Sequence, residues 1–168
     1  HIVIKITRAM VLSAGLGTRM QSLTSRKPKP LVNFAGRPLI DHVLDRLLMS
    51  GICRVVVNTH HFGNQLESYL AERADVVISL EPKLLETGGG VKRALSHFEE
   101  DAFYVLNCDV VWIERSEPAL KQLATRWTDS EMDALLLLFP TKGVAGYCGS
   151  GDYNLDDRGR AFRCKSGE

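Results

Sequence analysis

Residues suited to gripping a polyphosphate crowd one short stretch near the start of this chain. An apolar run at residues 9–12 leads into Ser13-Ala14-Gly15-Leu16-Gly17-Thr18-Arg19. Glycines at 15 and 17 free the backbone for φ > 0 and let its N–H groups approach a ligand with no Cβ between. A concave row of such N–H groups is an anion site. Lys27-Pro28-Lys29-Pro30 follows, its prolines expected to stiffen the chain and hold Lys29 in an extended segment. Arg19, Arg26, Lys27 and Lys29 fall within 11 residues, with no acid among them. Of these, Arg26 and Lys27 read as a solvated basic turn.

The cradle is not one of the familiar glycine motifs. A dinucleotide fingerprint needs a third glycine where Met20 stands, and a P-loop needs a Gly-Lys-Ser/Thr triplet. A kinase glycine loop would be accompanied by a lysine strand and a His-Arg-Asp loop, and neither is visible. Asp109 is the best metal candidate. It closes an apolar strand, so its carboxylate emerges with little freedom, and Mg²⁺ is commonly held by one or two carboxylates plus substrate phosphates. Glu81 reads either as a base-reading group or as a solvated loop acid. His60-His61 reads as a structural or solvated loop pair.

Periodicity supplies the elements that must position these groups. Short apolar, β-branched runs at 9–12, 54–58, 76–80, 103–107 and 133–139 predict strands. Helical spacing predicts helices over 39–50, 64–72, 88–97 and 118–127. Gly51 is placed to cap the first helix, and residues 81–87 read as a loop. Residues 143–168 read as loop plus hairpin, turning at 156–159. Alternating strands and helices predict an α/β fold: an open, mostly parallel twisted sheet with helices on both faces. Ligands of such sheets bind outside the carboxyl ends of the strands, where the glycine loop, His60, residues 81–89 and Asp109 all fall.

At 168 residues the chain is expected to be a single domain. A net charge of +1 suggests neither a nucleic-acid nor a membrane partner. Its distribution is uneven. Residues 1–40 carry seven bases and no acid, which fits a local anionic ligand. The four cysteines form no C-x-x-C pair, so a zinc site is not expected, and scattered thiols suggest a cytoplasmic protein. The longest apolar run is far too short to span a bilayer, and the first eight residues lack the cleavage site of a secretory leader.

The string from Leu12 to Met20, followed by Lys27-Pro-Lys-Pro-Leu31, resembles the signature of the sugar-1-phosphate nucleotidyltransferases (NDP-sugar pyrophosphorylases). The resemblance continues through residues 34–40, Glu86-Thr87-Gly88-Gly89-Gly90 and Asn107-Cys108-Asp109. It departs at Ser13, where most members carry alanine, and at Cys108, where they carry glycine. It implies transfer of a nucleoside monophosphate from an NTP to a sugar 1-phosphate, with release of pyrophosphate. Arg19 and Lys29 would face the triphosphate, and Asp109 would ligate Mg²⁺. Ala14, Gly15, Gly17, Thr18, Glu86, Thr87, Gly88 and Gly89 would complete the nucleotide site. Asn107, Gly151 and Lys165 would serve the sugar. The resemblance also implies a truncated C-terminal part, because members continue into a strand bearing a second metal-binding aspartate, leaving the sugar side here incomplete. Within the family the sequence is most similar to the N-acetylmuramate-1-phosphate uridylyltransferases of cell-wall recycling, which favours UTP. The alternatives are the mannose-1-phosphate guanylyltransferases and a non-catalytic, nucleotide-binding regulator.

Overall fold

The computed structural model describes residues 4–17, 22–99, 101–114 and 116–164. The chain divides into two compact units, His1–Thr125 and Arg126–Glu168.

The first unit is built on four strands: β1 (Arg8–Leu12), β4 (Arg54–Thr59), β5 (Val76–Leu80) and β6 (Tyr104–Asn107). Every pairing among them is parallel, in the order β5-β4-β1-β6. β1 is central, with Met10 beside Val56 on one side and Val105 on the other. From Ala9 onward its run is apolar because both faces are covered. Side chains alternate between the faces. Ala9, Val11, Val55 and Val57 point into the larger core, whereas Met10 and Val56 point into the smaller one.

Helices α1 (Leu39–Met49), α2 (Gly63–Leu70) and α4 (Ala119–Arg126) contribute to the larger core. Ile40, Val43, Leu44 and Leu47 of α1 are almost fully buried there, each worth roughly 1.5–3 kcal/mol. The helix stops where the sequence suggests. Gly51 takes φ 82°, its N–H bonds Leu48 O, and the N–H of Ile52 reaches back to Leu47 O, which satisfies the last carbonyls. Helix α3 (Glu86–Ala94) covers the opposite face, closed by Ala94, Phe98 and the stacked rings of Phe98 and Phe103. Helices therefore lie on both faces, as expected. A minimal antiparallel pair, β2 (Asn33–Phe34) with β3 (Arg37–Pro38), precedes α1.

In the second unit β7 (Tyr153–Leu155) pairs antiparallel with β8 (Ala161–Arg163). Asp156 fastens the turn: its carboxylate accepts from the backbone N–H of Arg158 at 2.9 Å and of Arg160 at 2.8 Å. The strand expected over 133–139 does not form. Its residues suit a pleated surface, but no segment among the described residues pairs with it, and Leu136, Leu137 and Phe139 stand exposed. Strand propensity is a fit to a sheet, and without a ladder it leaves an irregular chain.

Candidate active site

Because the sheet is parallel, its strand ends emerge along one edge, and a cleft of about 360 Å³ lies there. Its lining includes Ser13, Ala14 and Gly15 after β1, Lys29, Glu86 and Thr87, and Asn107 at the end of β6 with Asp109 just beyond it. The connections from β1 lead to β4 on one side and eventually to β6 on the other. The cleft thus opens at the point where strand order reverses, the usual ligand crevice of such sheets.

The glycine loop differs in detail from the sequence reading. Only Gly17 of its two glycines has positive φ, at 65°. A Cβ on Gly17 would lie 2.9 Å from Thr24 Cγ2 and 3.3 Å from Lys29 Cβ, so this glycine lets the loop close onto the base of the lysine. Around Gly15 there is open space, as an approach by ligand requires. Nor is Lys29 in an extended segment. It opens a single 3-10 turn, Lys29–Leu31, with buried Pro30 at its centre. The prolines aim the lysine by anchoring a tight turn. Its ammonium pairs with the Asp109 carboxylate, with 19% and 33% of the two side chains exposed.

Asp109 is held from both sides. Before it, the Cys108 N–H donates to Leu12 O at 3.2 Å, extending the β1–β6 ladder by one bond. The Cys108 side chain, in place of the glycine common in the family, turns into the core and is 3% exposed. Burial, and then the Asp109 carboxylate, push its thiol up from 9.0 to about 12. After Asp109, Arg46 of α1 straps the chain down. Its guanidinium lies 4.5 Å over the Trp112 ring, donates to Trp112 O at 2.8 Å and pairs with Glu114 at 3.1 Å.

The opposite wall was expected to be a loop through Thr87. Instead α3 starts at Glu86, whose φ is 59°, so Glu86 and Thr87 form its first turn. Glu81, weighed as a base reader or a solvated acid, is neither: it is 1% exposed. One carboxylate oxygen accepts from Asn58 Nδ2 at 2.8 Å and the other from Leu85 N–H at 3.1 Å. His60 is anchored to the same loop. Its Nδ1 lies 2.8 Å from Glu81 O, and since a carbonyl can only accept, that nitrogen carries the proton. The polar Asn58-Thr59 after an apolar run signals a strand end, but does not name Glu81 as a partner.

Ala14, Gly15, Lys29, Glu86, Thr87, Asn107 and Asp109 are thus brought to one cleft, and Gly17 supports it from behind. Gly88 and Gly89 lie within α3 and are not among its described lining. Thr18, Arg19 and Lys165 lie outside the described residues, and Gly151 belongs to the second unit. Among the described residues no three metal-ligating side chains gather, and no helix is long and apolar enough to cross a membrane.

Residues 9–145 match the family described as the MobA-like NTP transferase domain. The chain is 43% identical over 158 residues to N-acetylmuramate alpha-1-phosphate uridylyltransferase of Caulobacter vibrioides, covering 90% of this chain and 65% of that protein. It is 34% identical to mannose-1-phosphate guanyltransferase of Gibberella zeae, covering 62% and 30%. Among solved structures, the UTP-bound UGPase from Acinetobacter baumannii superposes with a TM-score of 0.63 at 27% identity, covering 73% of this chain and 52% of that one. The chain therefore spans between about a third and two-thirds of the length of these relatives.

Proposed function

The chain belongs to the MobA-like NTP transferase domain family, and on that premise we propose that its cleft binds a nucleoside triphosphate and passes the nucleoside monophosphate part to a sugar 1-phosphate. One observation carries this reading: Lys29 and Asp109, 80 residues apart in sequence, meet at the mouth of a cleft lined by a glycine loop. The acceptor phosphate oxygen forms a bond to the α-phosphorus while the bond to the bridging oxygen of the leaving pyrophosphate breaks. A sugar phosphate is already an anionic nucleophile, so neither a covalent enzyme intermediate nor a histidine base is needed.

Positioning and charge neutralisation then account for catalysis. Lys29 exchanges its carboxylate partner for the triphosphate. N–H groups at Ala14 and Gly15 supply further donors, and Arg19 is assigned to the same phosphates. Among the described residues Asp109 stands outside any cluster of metal-ligating side chains, and it would hold Mg²⁺ as a single carboxylate. When bound, that ion supplies charge neutralisation between phosphate oxygens. The α3 wall, with Glu86 and Thr87, faces the base and ribose, and Asn107 faces the sugar.

Similarity to the Caulobacter uridylyltransferase favours UTP and N-acetylmuramate 1-phosphate as substrates, hence a role in cell-wall recycling in the cytoplasm, where nucleoside triphosphates are made. Calorimetric titration with UTP and GTP tests the base. Tighter UTP binding is expected, because one pocket cannot present both hydrogen-bond patterns equally. Tighter GTP binding moves the reading to the mannose enzyme. Pyrophosphate release with N-acetylmuramate 1-phosphate should fall on the order of a hundredfold in Asp109→Asn. Nucleotide binding with no pyrophosphate release from any sugar 1-phosphate, in a chain extended to the length of its relatives, would identify a non-catalytic relative.

A further inference from the structure

Behind the cleft, hydrogen bonds run unbroken from one wall to the other through two side chains that the proposed chemistry does not use. Ser13, which opens the glycine loop, donates its backbone N–H to Asn58 Oδ1 at 2.7 Å and its hydroxyl to Asn58 O. Asn58 Nδ2 donates to Glu81 Oε1 at 2.8 Å, and Glu81 Oε2 accepts from the N–H of Leu85, the residue before α3, at 3.1 Å. The path starts at the end of β1, crosses the ends of β4 and β5, and finishes at the base of the α3 wall. Glu81 is buried too deeply to meet a ligand itself.

We propose that Asn58 and Glu81 are positioning residues that tie the glycine loop to the α3 wall and so fix the spacing at which the cleft grips a nucleotide. The inference rests on the nucleotide reading of the cleft.

The direction of each bond is determined. Oδ1 of Asn58 must meet the Ser13 N–H, and Nδ2 must meet the carboxylate, so only one orientation of the amide satisfies both. Both Glu81 oxygens act as acceptors, each for a different wall. The space around the pair is reserved as well. A Cβ on Gly90 would lie 2.6 Å from Glu81 Oε1 and 2.8 Å from Asn58 Nδ2, nearer than real Cβ atoms come. The third glycine of the Thr-Gly-Gly-Gly run is therefore explained by the tie, with no contact to a base.

This geometry allows a reversal test. Glu81→Gln sets an amide NH₂ against a donor, either at Asn58 or at Leu85. Asn58→Asp sets a second carboxylate oxygen against Glu81. Combining the two restores the pattern with the inner bond reversed: the glutamine NH₂ donates to the new carboxylate, and its oxygen accepts from Leu85 N–H. UTP, GTP and CTP should be titrated into the full chain for both single variants and the double, with thermal unfolding followed in parallel. Each single substitution is expected to weaken all three nucleotides by at least about tenfold and by similar factors, and the double to recover to within about threefold. Unchanged affinity in singles that melt lower would reduce the pair to a structural role and overturn the proposal. So would failure of the double to recover, or a loss confined to one base.

If the singles do not fold, the double together with Ser13→Ala still decides. The Ser13→Ala variant keeps the side-chain pair but removes the hydroxyl tether, and is expected to lose about threefold in affinity with little change in melting. No loss there, or weak binding by the double, counts against the tie. Amide exchange separates this inference from the nucleotide reading. In ligand-free protein the Ser13 and Leu85 amides should both exchange faster in either single and regain protection in the double. An effect confined to the substituted side overturns the tie, whereas absence of nucleotide binding by the unsubstituted chain overturns only the nucleotide reading.

Discussion

At the floor of the cleft, Asn58 and Glu81 are 3% and 1% exposed; Asn58 donates to the Glu81 carboxylate, and backbone N–H groups supply the other two oxygens. At its mouth, Lys29 and Asp109 keep 19% and 33% of their side chains exposed and hold one another by charge. Both arrangements satisfy polar groups beside an apolar sheet, but they respond differently to change. A buried group that loses its partner keeps the full cost of desolvation, and water cannot replace what was lost. A partly exposed pair can be screened, rehydrated or exchanged for another ion at little cost. The floor is suited to holding shape and the mouth to changing partners.

Substitutions can break that contrast. Asn58→Ala removes two hydrogen bonds and orphans the Ser13 N–H and a Glu81 oxygen, so unfolding free energy should fall by about 2–5 kcal/mol, read from the urea midpoint. Lys29→Ala should leave that midpoint within about 1 kcal/mol while weakening nucleotide binding by about 1.5–3 kcal/mol in calorimetry. Equal stability losses at the two positions would erase the distinction. The floor also has a blemish that sharpens it. Thr59 Oγ1 is the one buried side-chain polar atom without a partner among the described residues. Thr59→Val should therefore be neutral, or stabilising by up to about 1 kcal/mol.

Cys108 offers a subtler check in pH. A thiol raised from 9.0 to about 12 stays protonated in the folded state after the unfolded chain has lost its proton. The folded state then binds more protons across that interval, so its contribution to stability is full below pH 9 and declines as pH climbs toward 12. Iodoacetamide at pH 8 should modify exposed Cys53 and Cys148 and spare Cys108 until the protein is unfolded.

The sequence announced the mouth more clearly than the floor. Lys29 sits between prolines and Asp109 ends an apolar strand, and a parallel sheet delivers all its strand ends to one edge, so their convergence could be anticipated. The Asn58–Glu81 tie could not be, since nothing in local spacing states that a strand-end amide and a loop acid face each other. That fact belongs to the β4–β5 register, where Thr59 pairs with Leu80. Residues 133–139 misled in the opposite direction, because strand propensity was present without a partner. The need for glycine at position 90 was equally hidden, because a carboxylate packed beneath it leaves no local trace.

The strand order has a further consequence, in the timing of assembly. Ala9 pairs with Val55 on one side and with Tyr104 on the other, so β1 acquires its second neighbour only after a much longer span of chain has been drawn in. Closing the longer loop is entropically costlier and belongs to the slow part of folding. Lys29 would thus be seated near the glycine loop before β6 arrives with Asp109. In pulse-labelled refolding, β4 amides should gain protection ahead of those in β6, with nucleotide binding appearing only at the second stage. For a chain emerging from the ribosome, the phosphate grip would exist for a time without its carboxylate, and competence would switch on when the edge strand docks.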